Sequence, residues 1–157
     1  MKTVIVQMSD KQWTMEAMHL ACALARNIDG RIVLLRLVLA NNPGLLGWGI
    51  MRATTEEERR IKDYAAVADD YGVQFCVQPM QYVTFMDALA QAAGNLNASF
   101  LFALIPQSSF PMWKRFRLWN LKRQLGDCRL CLLDGDQPFN LEKPIPSTVI
   151  WDKITHW

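Results

Sequence analysis

The sequence predicts an α/β domain built on an open, five-stranded parallel sheet with helices on both faces. Short apolar, β-branched segments with little alternation recur along the chain, as expected for strands buried on both faces. Segments with helical apolar spacing separate them, which gives the order β-α-β-α-β-α-β-α-β. Because crossovers between parallel strands are right-handed, this order favours a single sheet.

Length and composition are consistent with one globular domain. The chain has 157 residues, of which 51% are hydrophobic and 20% charged, so it can bury a full core. A formal net charge of +2 is too small to imply nucleic acid. The N-terminus has no signal-peptide pattern, and no apolar run is long enough to cross a bilayer. Four cysteines do not make a dense disulfide framework, so we expect a cytoplasmic protein.

The first strand and helix form the first half of a βαβ unit. Residues 3–6 predict a buried strand, and Ser9 and Asp10 follow it with side chains that suit a helix N-cap. Gly30 is expected to end the helix. Ligands of such sheets bind at the carboxyl ends of strands, so residues 9–11 should line any small-molecule site. The apolar face of this helix is predicted to contain Ala17, Met18, Ala21, Leu24, Ala25 and Ile28.

An apolar loop follows the second strand, which is predicted at residues 31–39. The loop opens with Asn-Asn-Pro-Gly and contains Leu45, Leu46 and Trp48. Such a patch is typical of an interface, although Trp48 can equally fold back over the open end of the sheet. Mutation of Trp48 would separate these two interpretations.

Local signals place the remaining elements. Thr54 and Glu57 form a capping box at the start of the second helix, and Gly72 ends that helix. Thr84 is the predicted cap of the third helix. Strands are predicted at residues 73–77, 99–105 and 129–133, and a fourth helix at 112–125. We place the domain at residues 1–134 and a proline-containing tail at 135–157, with a short strand predicted at 148–151.

The fourth helix has the most distinctive composition. Residues 112–123 include five basic residues and no acidic residue, with Trp113, Phe116 and Trp119 between them. The favoured interpretation is that the apolar residues face the sheet and the basic residues face water. The alternative is a surface for an anion or a nucleic acid, with the aromatic rings available for stacking.

No residue pattern indicates a catalytic or metal site. Cys128 and Cys131 form a C-x-x-C, but on a strand these positions point to opposite faces, which disfavours a redox pair or a metal site. His19 is predicted on the outer side of the first helix, and His156 lies in the tail. Asp10 is a candidate acid or base, but a capping role is favoured.

The chain resembles the universal stress protein family over residues 2–133. The resemblance rests on VIVQMSDKQWTMEAMHLACALA at residues 4–25, GRIVLLRLV at 30–38, YGVQFCVQ at 71–78 and MDALAQAAGNLNASFLFAL at 86–104. It implies a Rossmann-like sheet of strand order 3-2-1-4-5 and homodimers formed through strand five. The residues of that dimer strand would include Cys128, Leu130, Leu132 and Leu133.

One departure from the family pattern bears on function. Nucleotide-binding members have a Gly-x2-Gly-x9-Gly-Ser/Thr motif after strand four, whereas this chain has no glycine between Gly94 and Gly126. Glycines allow the backbone to approach phosphates closely. We therefore expect no ATP bound in the family's usual way and no cofactor. The leading hypothesis is a non-enzymatic stress-response protein that acts through protein interaction.

Two alternatives stay open. The first is a sensor that binds an adenine nucleotide (ATP or AMP) or another anion at the carboxyl ends of the strands. Its site residues would be Ser9, Asp10, Leu39, Ile105, Ser108 and Ser109. The second is a nucleotide-dependent enzyme, which the lack of a phosphate-binding glycine loop disfavours. We expect a homodimer through strand five and an unidentified protein partner, with no membrane binding, and we disfavour nucleic-acid binding.

Overall fold

The computed structural model describes residues 1–40, 53–105, 111–133 and 154–156. Its strands are β1 (Lys2–Gln7), β2 (Gly30–Leu39), β3 (Gln74–Tyr82), β4 (Phe100–Phe102), β5 (Arg129–Leu133) and β6 (Ile154–His156). Its helices are α1 (Lys11–Asn27), α2 (Thr55–Tyr71), α3 (Phe85–Asn95) and α4 (Pro111–Leu125). None of the helices in these ranges combines the length and the hydropathy that a membrane span requires.

The described strands form one sheet in the order β3-β2-β1-β4-β5-β6. The first five strands are parallel, so the predicted fold class and strand order are confirmed. β6 is an addition that was not predicted: it pairs antiparallel with β5, with Leu133 opposite Ile154. Three residues of the predicted tail therefore belong to the sheet. The strand predicted at residues 148–151 lies outside the described residues.

Side-chain alternation along the strands divides the core into two layers. Val4 and Val6 of β1 pack with α1 and α2, whereas Ile5 packs with α3 and α4 on the opposite face. All three side chains are fully buried, as expected for the central strand of a parallel sheet. Consequently α2 and α4 lie on opposite sides of the molecule.

Local capping signals were mostly predicted correctly. Asp10 caps α1, and Thr54 caps α2 in a complete capping box with Glu57. Gly72 ends α2 with φ +68°, a conformation that a glycine adopts without steric cost. The predicted role of Gly30 was wrong: α1 ends before it, Asp29 adopts the positive φ, and Gly30 begins β2. A Cβ at Gly30 would lie 3.1 Å from the Lys2 carbonyl oxygen, which explains a glycine at this position.

Two strands differ most from their predicted lengths, each by four residues, whereas β1 and β2 differ by one or two. β3 continues to Tyr82 and includes Pro79, which is tolerated because β3 lies at the edge of the described sheet. β4 is only three residues long, although the apolar pattern predicts seven. The bounds of β5 agree with the prediction.

Candidate functional site

The strand order reverses between β1 and β4, and ligand crevices of open α/β sheets lie at such a switch point. We call the space beyond the carboxyl ends of these strands, bounded by residues 7–10 and 103–105, the strand-end crevice. The side chain of Gln7 is buried there, and its Oε1 accepts a hydrogen bond of 2.8 Å from the Leu104 N–H. This bond ties together two segments 97 residues apart, across the position that a ligand would enter.

The Asp10 side chain and the Ser9 backbone, at the end of β1, are engaged in local structure. The Asp10 carboxylate accepts a hydrogen bond of 2.9 Å from the Trp13 N–H, so the predicted capping role is confirmed. The Ser9 N–H donates to Thr14 Oγ1 at 2.8 Å. These bonds fix the turn from β1 into α1, and they satisfy backbone groups at the start of the helix.

The other predicted site residues do not all gather at this crevice. Ile105 is buried among the side chains of the α3 and α4 layer. Leu39 is half exposed and lies four residues past Leu35, the β2 partner of Gln7, which places it about 13 Å further along the sheet. Ser108 and Ser109 lie outside the described residues, as do Leu45, Leu46 and Trp48 of the predicted partner loop.

A second opening lies at the carboxyl end of β3. It has a volume of about 300 Å³, is open to solvent and runs between the end of β3 and the first turns of α3. Its polar lining comes from Gln81, Thr84, Asp87 and Gln91. The sequence pattern did not predict this opening, because its residues come together only when α3 folds back against the end of β3.

The two cysteines of the C-x-x-C face opposite layers of the core, as predicted. Cys131 packs with α1 and α2, whereas Cys128 packs with α3 and α4. Burial raises the pKa of Cys128 to about 11 and that of Cys131 to about 12, so both are thiols at neutral pH. Among the described residues, no three His, Cys, Asp or Glu side chains are grouped so that they could hold a metal ion.

The predicted position of His19 on an outer surface was wrong. The side chain is buried between α1 and α2, with Nδ1 3.0 Å from the Tyr71 hydroxyl and the two rings edge to face. Burial lowers the pKa of His19, and the nearby charge of Asp70 opposes that shift. The apolar pattern of α1 identifies the side that faces the sheet, but it does not show that α2 covers the other side.

The predicted orientation of α4 was wrong for its aromatic residues. The stripe that faces the core consists of Leu118, Leu121 and Leu125, which are all buried. The aromatic side chains point outward, and we call Trp113, Phe116 and Trp119 the aromatic ridge. Both stripes have helical spacing, so the apolar pattern alone did not decide between them.

The aromatic ridge is continuous and lies among cationic side chains. Each of its three residues is 56% exposed. The ring centroids are 6.3 Å apart from Trp113 to Phe116 and again from Phe116 to Trp119. The Arg123 guanidinium lies 5.6 Å from the centre of the Trp119 ring, within cation–π range. Further exposed residues around the ridge are Met112, Arg115, Arg117 and Lys122.

Comparison with solved structures identifies the fold. The chain is similar to a universal stress protein in complex with cAMP (TM-score 0.65, 12% identity), covering 86% of this chain and 98% of that one. It is also similar to a protein of the universal stress protein family from Burkholderia pseudomallei (TM-score 0.60, 18% identity; 85% and 96% covered). A universal stress protein from Archaeoglobus fulgidus gives a TM-score of 0.52 at 11% identity, with 80% and 85% covered.

These similarities define an α/β protein with a parallel sheet and helices on both faces. More particularly, the fold is that of the universal stress proteins. The sequence itself matches no protein-family model and none of the curated proteins with which it was compared.

Proposed function

We propose that this chain is a non-enzymatic stress-response protein that acts through protein interaction and does not hold ATP in the strand-end crevice. The observation that supports this most directly is the hydrogen bond between Gln7 and the Leu104 N–H. A nucleotide that entered between β1 and β4 would have to displace a buried side chain whose amide oxygen is already bonded. Leaving the buried amide oxygen unbonded is costly, so the bond favours a closed crevice.

The sequence around the crevice supports the same proposal. Phosphate loops use glycines so that backbone N–H groups can approach the ligand. This chain has no glycine from residue 95 to residue 125. The described residues after β4 are instead Ala103, Leu104 and Ile105, and Ile105 is buried in the core.

The state of the reactive side chains supports the non-enzymatic part of the proposal. Cys22, Cys128 and Cys131 are buried with raised pKa values, which disfavours thiolate chemistry. His19 lies within hydrogen-bond distance of Tyr71 inside the α1–α2 contact. The Asp10 carboxylate is engaged as a helix cap.

The homodimer through β5 is part of the proposal. Along Cys131, Leu132 and Leu133, β5 pairs with β6 of the same chain. A second copy that uses this side of the sheet must therefore pair with β6 or displace it. Either arrangement would cover an edge strand, and unpaired edge strands favour association.

A second candidate function is a sensor for an adenine nucleotide, and one observation favours it. A structure with the same fold, at a TM-score of 0.65, is a universal stress protein in complex with cAMP. In this chain the candidate ligand residues at the end of β1 are Ser9 and Asp10. The sensor hypothesis requires the Gln7 bond to open when a ligand binds.

Calorimetric titration with ATP, AMP and cAMP tests the proposal. We expect no saturable heat for the wild-type chain with any of the three. Saturable binding of any of these nucleotides that weakens in Ser9→Ala would contradict the proposal and favour the sensor hypothesis. Ser99→Ala is the matched control, since Ser99 lies at the opposite end of the sheet, before β4. ATP turnover that disappears in Asp10→Asn would contradict the non-enzymatic part.

A further inference from the structure

The outer face of α4 has two properties that the fold itself does not need. Its aromatic ridge exposes large apolar rings to water, next to Met112, which is 82% exposed. Its cationic residues are not matched by any acidic residue within the helix. A contiguous exposed apolar surface of this kind is typical of a site that binds a partner or a membrane.

We propose that α4 docks on an anionic membrane surface, with the aromatic ridge in the headgroup layer and the surrounding cations on the lipid charges. Tryptophan is enriched at membrane–water interfaces, where its ring is partly apolar and its N–H is polar. Basic side chains beside such rings add attraction to anionic lipids. This inference goes beyond the proposed function, does not depend on the strand-end crevice, and departs from the expectation of no membrane binding, because the sequence pattern had placed the aromatic residues of α4 against the sheet.

The charge distribution supports an anionic partner. α4 contains five of the chain's 17 basic residues and no acidic residue, whereas the rest of the chain has 12 basic and 15 acidic residues. On the opposite face of the sheet, α2 contains six acidic and three basic residues. Helix α4 is therefore positive, whereas helix α2 on the other side of the sheet is negative. A negatively charged plane would attract the α4 side and repel the α2 side.

The packing of α4 on the core allows its outer face to dock on a surface while the domain stays folded. Leu118, Leu121 and Leu125 are buried in the core, which fixes the opposite side of the helix toward the outside. From Trp113 to Trp119 the ridge extends about 9 Å along the helix axis. It can therefore meet a flat surface with all three rings at once, and the core does not have to rearrange.

The arrangement of the rings favours a membrane over a single-stranded nucleic acid. Bases stack on free ring faces, generally within a positively charged groove that follows the strand. Here the ridge lies on the convex surface of a helix. Arg123 covers one face of Trp119, and Trp113 meets Phe116 at an interplanar angle of 89°. Membrane insertion requires only that the rings project from the surface.

Vesicle co-sedimentation with the full chain tests the proposal. The probes are phosphatidylcholine vesicles with and without phosphatidylserine, at low and at high salt. We expect binding only when phosphatidylserine is present, and weaker binding at high salt. No binding to phosphatidylserine vesicles at low salt would overturn the proposal.

Two sets of variants show which residues are responsible. The ridge variant is Trp113→Ala, Phe116→Ala and Trp119→Ala together, and the charge variant is Arg115→Gln, Arg117→Gln and Lys122→Gln together. Each should weaken binding by more than about tenfold. Arg59→Gln with Lys62→Gln on α2 is the control and should bind like the wild type. Circular dichroism melting checks that each variant is folded. Unweakened binding by the folded ridge variant would contradict the assignment.

Two further outcomes would assign the face to another partner and so overturn the proposal. The first is tight binding of an oligothymidylate, without vesicle binding, that the ridge variant loses. The second is a lipid-free dimer that the ridge variant converts to monomers, which would make α4 a contact between copies of this chain. Analytical ultracentrifugation of the wild type and the ridge variant detects the second outcome. None of these results bears on nucleotide binding in the strand-end crevice.

Discussion

Helices α2 and α4 are similar toward the core and different toward water. Each packs a stripe of apolar side chains on the sheet, α2 on one face and α4 on the other. In α2, the carboxylate oxygens of Glu56 lie 3.7 Å from a terminal guanidinium nitrogen of Arg59 and 3.9 Å from Nε of Arg60. Opposite charges are therefore neighbours on the same helix. The outside of α4 has basic residues and the aromatic ridge, with no acidic residue along the helix.

The outer face of α2 has the paired charges that are expected of a solvent-exposed helix. The exposed rings of α4 have no such structural explanation. Both ends of α2 are also capped by neighbouring residues, the first by the capping box at Thr54 and the second by Gly72 in the left-handed conformation. Burial of the ridge would have been favourable for the fold, yet the rings remain in water. The comparison therefore singles out the outer face of α4, which is the proposed docking surface, and the following changes test the difference from the largest expected effect to the smallest.

The strongest test compares the two faces of α4 itself. Leu121→Ala should lower the free energy of unfolding by about 2–5 kcal/mol, because it leaves a cavity in the core. Trp119→Ala should change that free energy by less than about 1 kcal/mol, since the residue is already 56% exposed. Urea unfolding of both variants gives the two values. Equal losses would show that the ridge is part of the structural core.

The second test concerns the ion pair that joins the sheet to α2. Arg36 is buried on β2, and its Nε donates to Glu57 Oε2 at 2.8 Å. Glu57→Ala should lower stability by about 1.5–3 kcal/mol, because it removes a charged hydrogen bond from a buried cation. Glu57→Gln is the matched control: it can keep the capping box and should lose less. A loss below about 0.5 kcal/mol in Glu57→Ala would contradict this role.

The same pair predicts a dependence on acid. The hydrogen bond from Arg36 is the main cause that lowers the pKa of Glu57 below its usual value of about 4.5. The stabilisation is therefore complete above about pH 4.5 and is lost as the pH falls through the lower pKa of the folded state. Unfolding measured from pH 6 to pH 3 should show a shallower decline in Glu57→Gln than in the wild type. Identical declines would exclude Glu57 as a source of acid sensitivity.

A smaller effect is expected from His19, which lies on the α2 side of the molecule. Its pKa is lowered by burial, so the unfolded chain takes up a proton at higher pH than the folded chain does. Stability should therefore be complete above about pH 6.5 and fall on acidification, by at most about 1.4 kcal/mol per pH unit. His19→Gln should remove this slope, whereas Tyr71→Phe should retain it. The measurement is urea unfolding at several pH values between 7.5 and 5.5.

The smallest effect is expected at the ion pairs within α2, which join Glu56 to Arg59 and Arg60. Glu56→Ala removes both contacts to Arg59 and Arg60 but should change stability by no more than about 0.5 kcal/mol, because Glu56 and Arg59 are exposed and screened, and the partly buried Arg60 Nε lies 3.9 Å from the Glu56 carboxylate. A loss above about 1 kcal/mol would mean that the outer charges of α2 form a network that stabilises the fold. Thermal unfolding at low and high salt distinguishes the two cases.

The sequence predicted what local signals determine. The series of buried runs predicted the parallel sheet, and the family resemblance implied its strand order. The side chains next to α1 and α2 predicted their N-caps, whereas Thr84 precedes α3 without a side-chain capping bond. β6 was missed because its three residues have no strand pattern of their own and depend on the edge of β5. The Gln7 bond was missed because its partner is 97 residues away.

Two surfaces were misplaced for a common reason. His19 was assigned to an outer surface because a helical pattern shows which side of α1 is apolar, not which neighbours cover the other side. In α4 the leucine stripe and the aromatic ridge both satisfied the pattern, and only packing on the sheet selected the leucines. The predicted ligand site was incomplete for a similar reason. The sequence does not give the register between strands, and the observed register places Leu39 well beyond the end of β1.

Native mass spectrometry of the purified chain, with and without added ATP, tests the central claim that this universal stress protein fold works without a nucleotide in its strand-end crevice. From this claim we expect masses that correspond to protein subunits alone in both samples, and the subunit number reports separately on the proposed dimer. A stoichiometric adenine nucleotide on each subunit would contradict it, and would mean that the Gln7–Leu104 bond opens to admit the ligand.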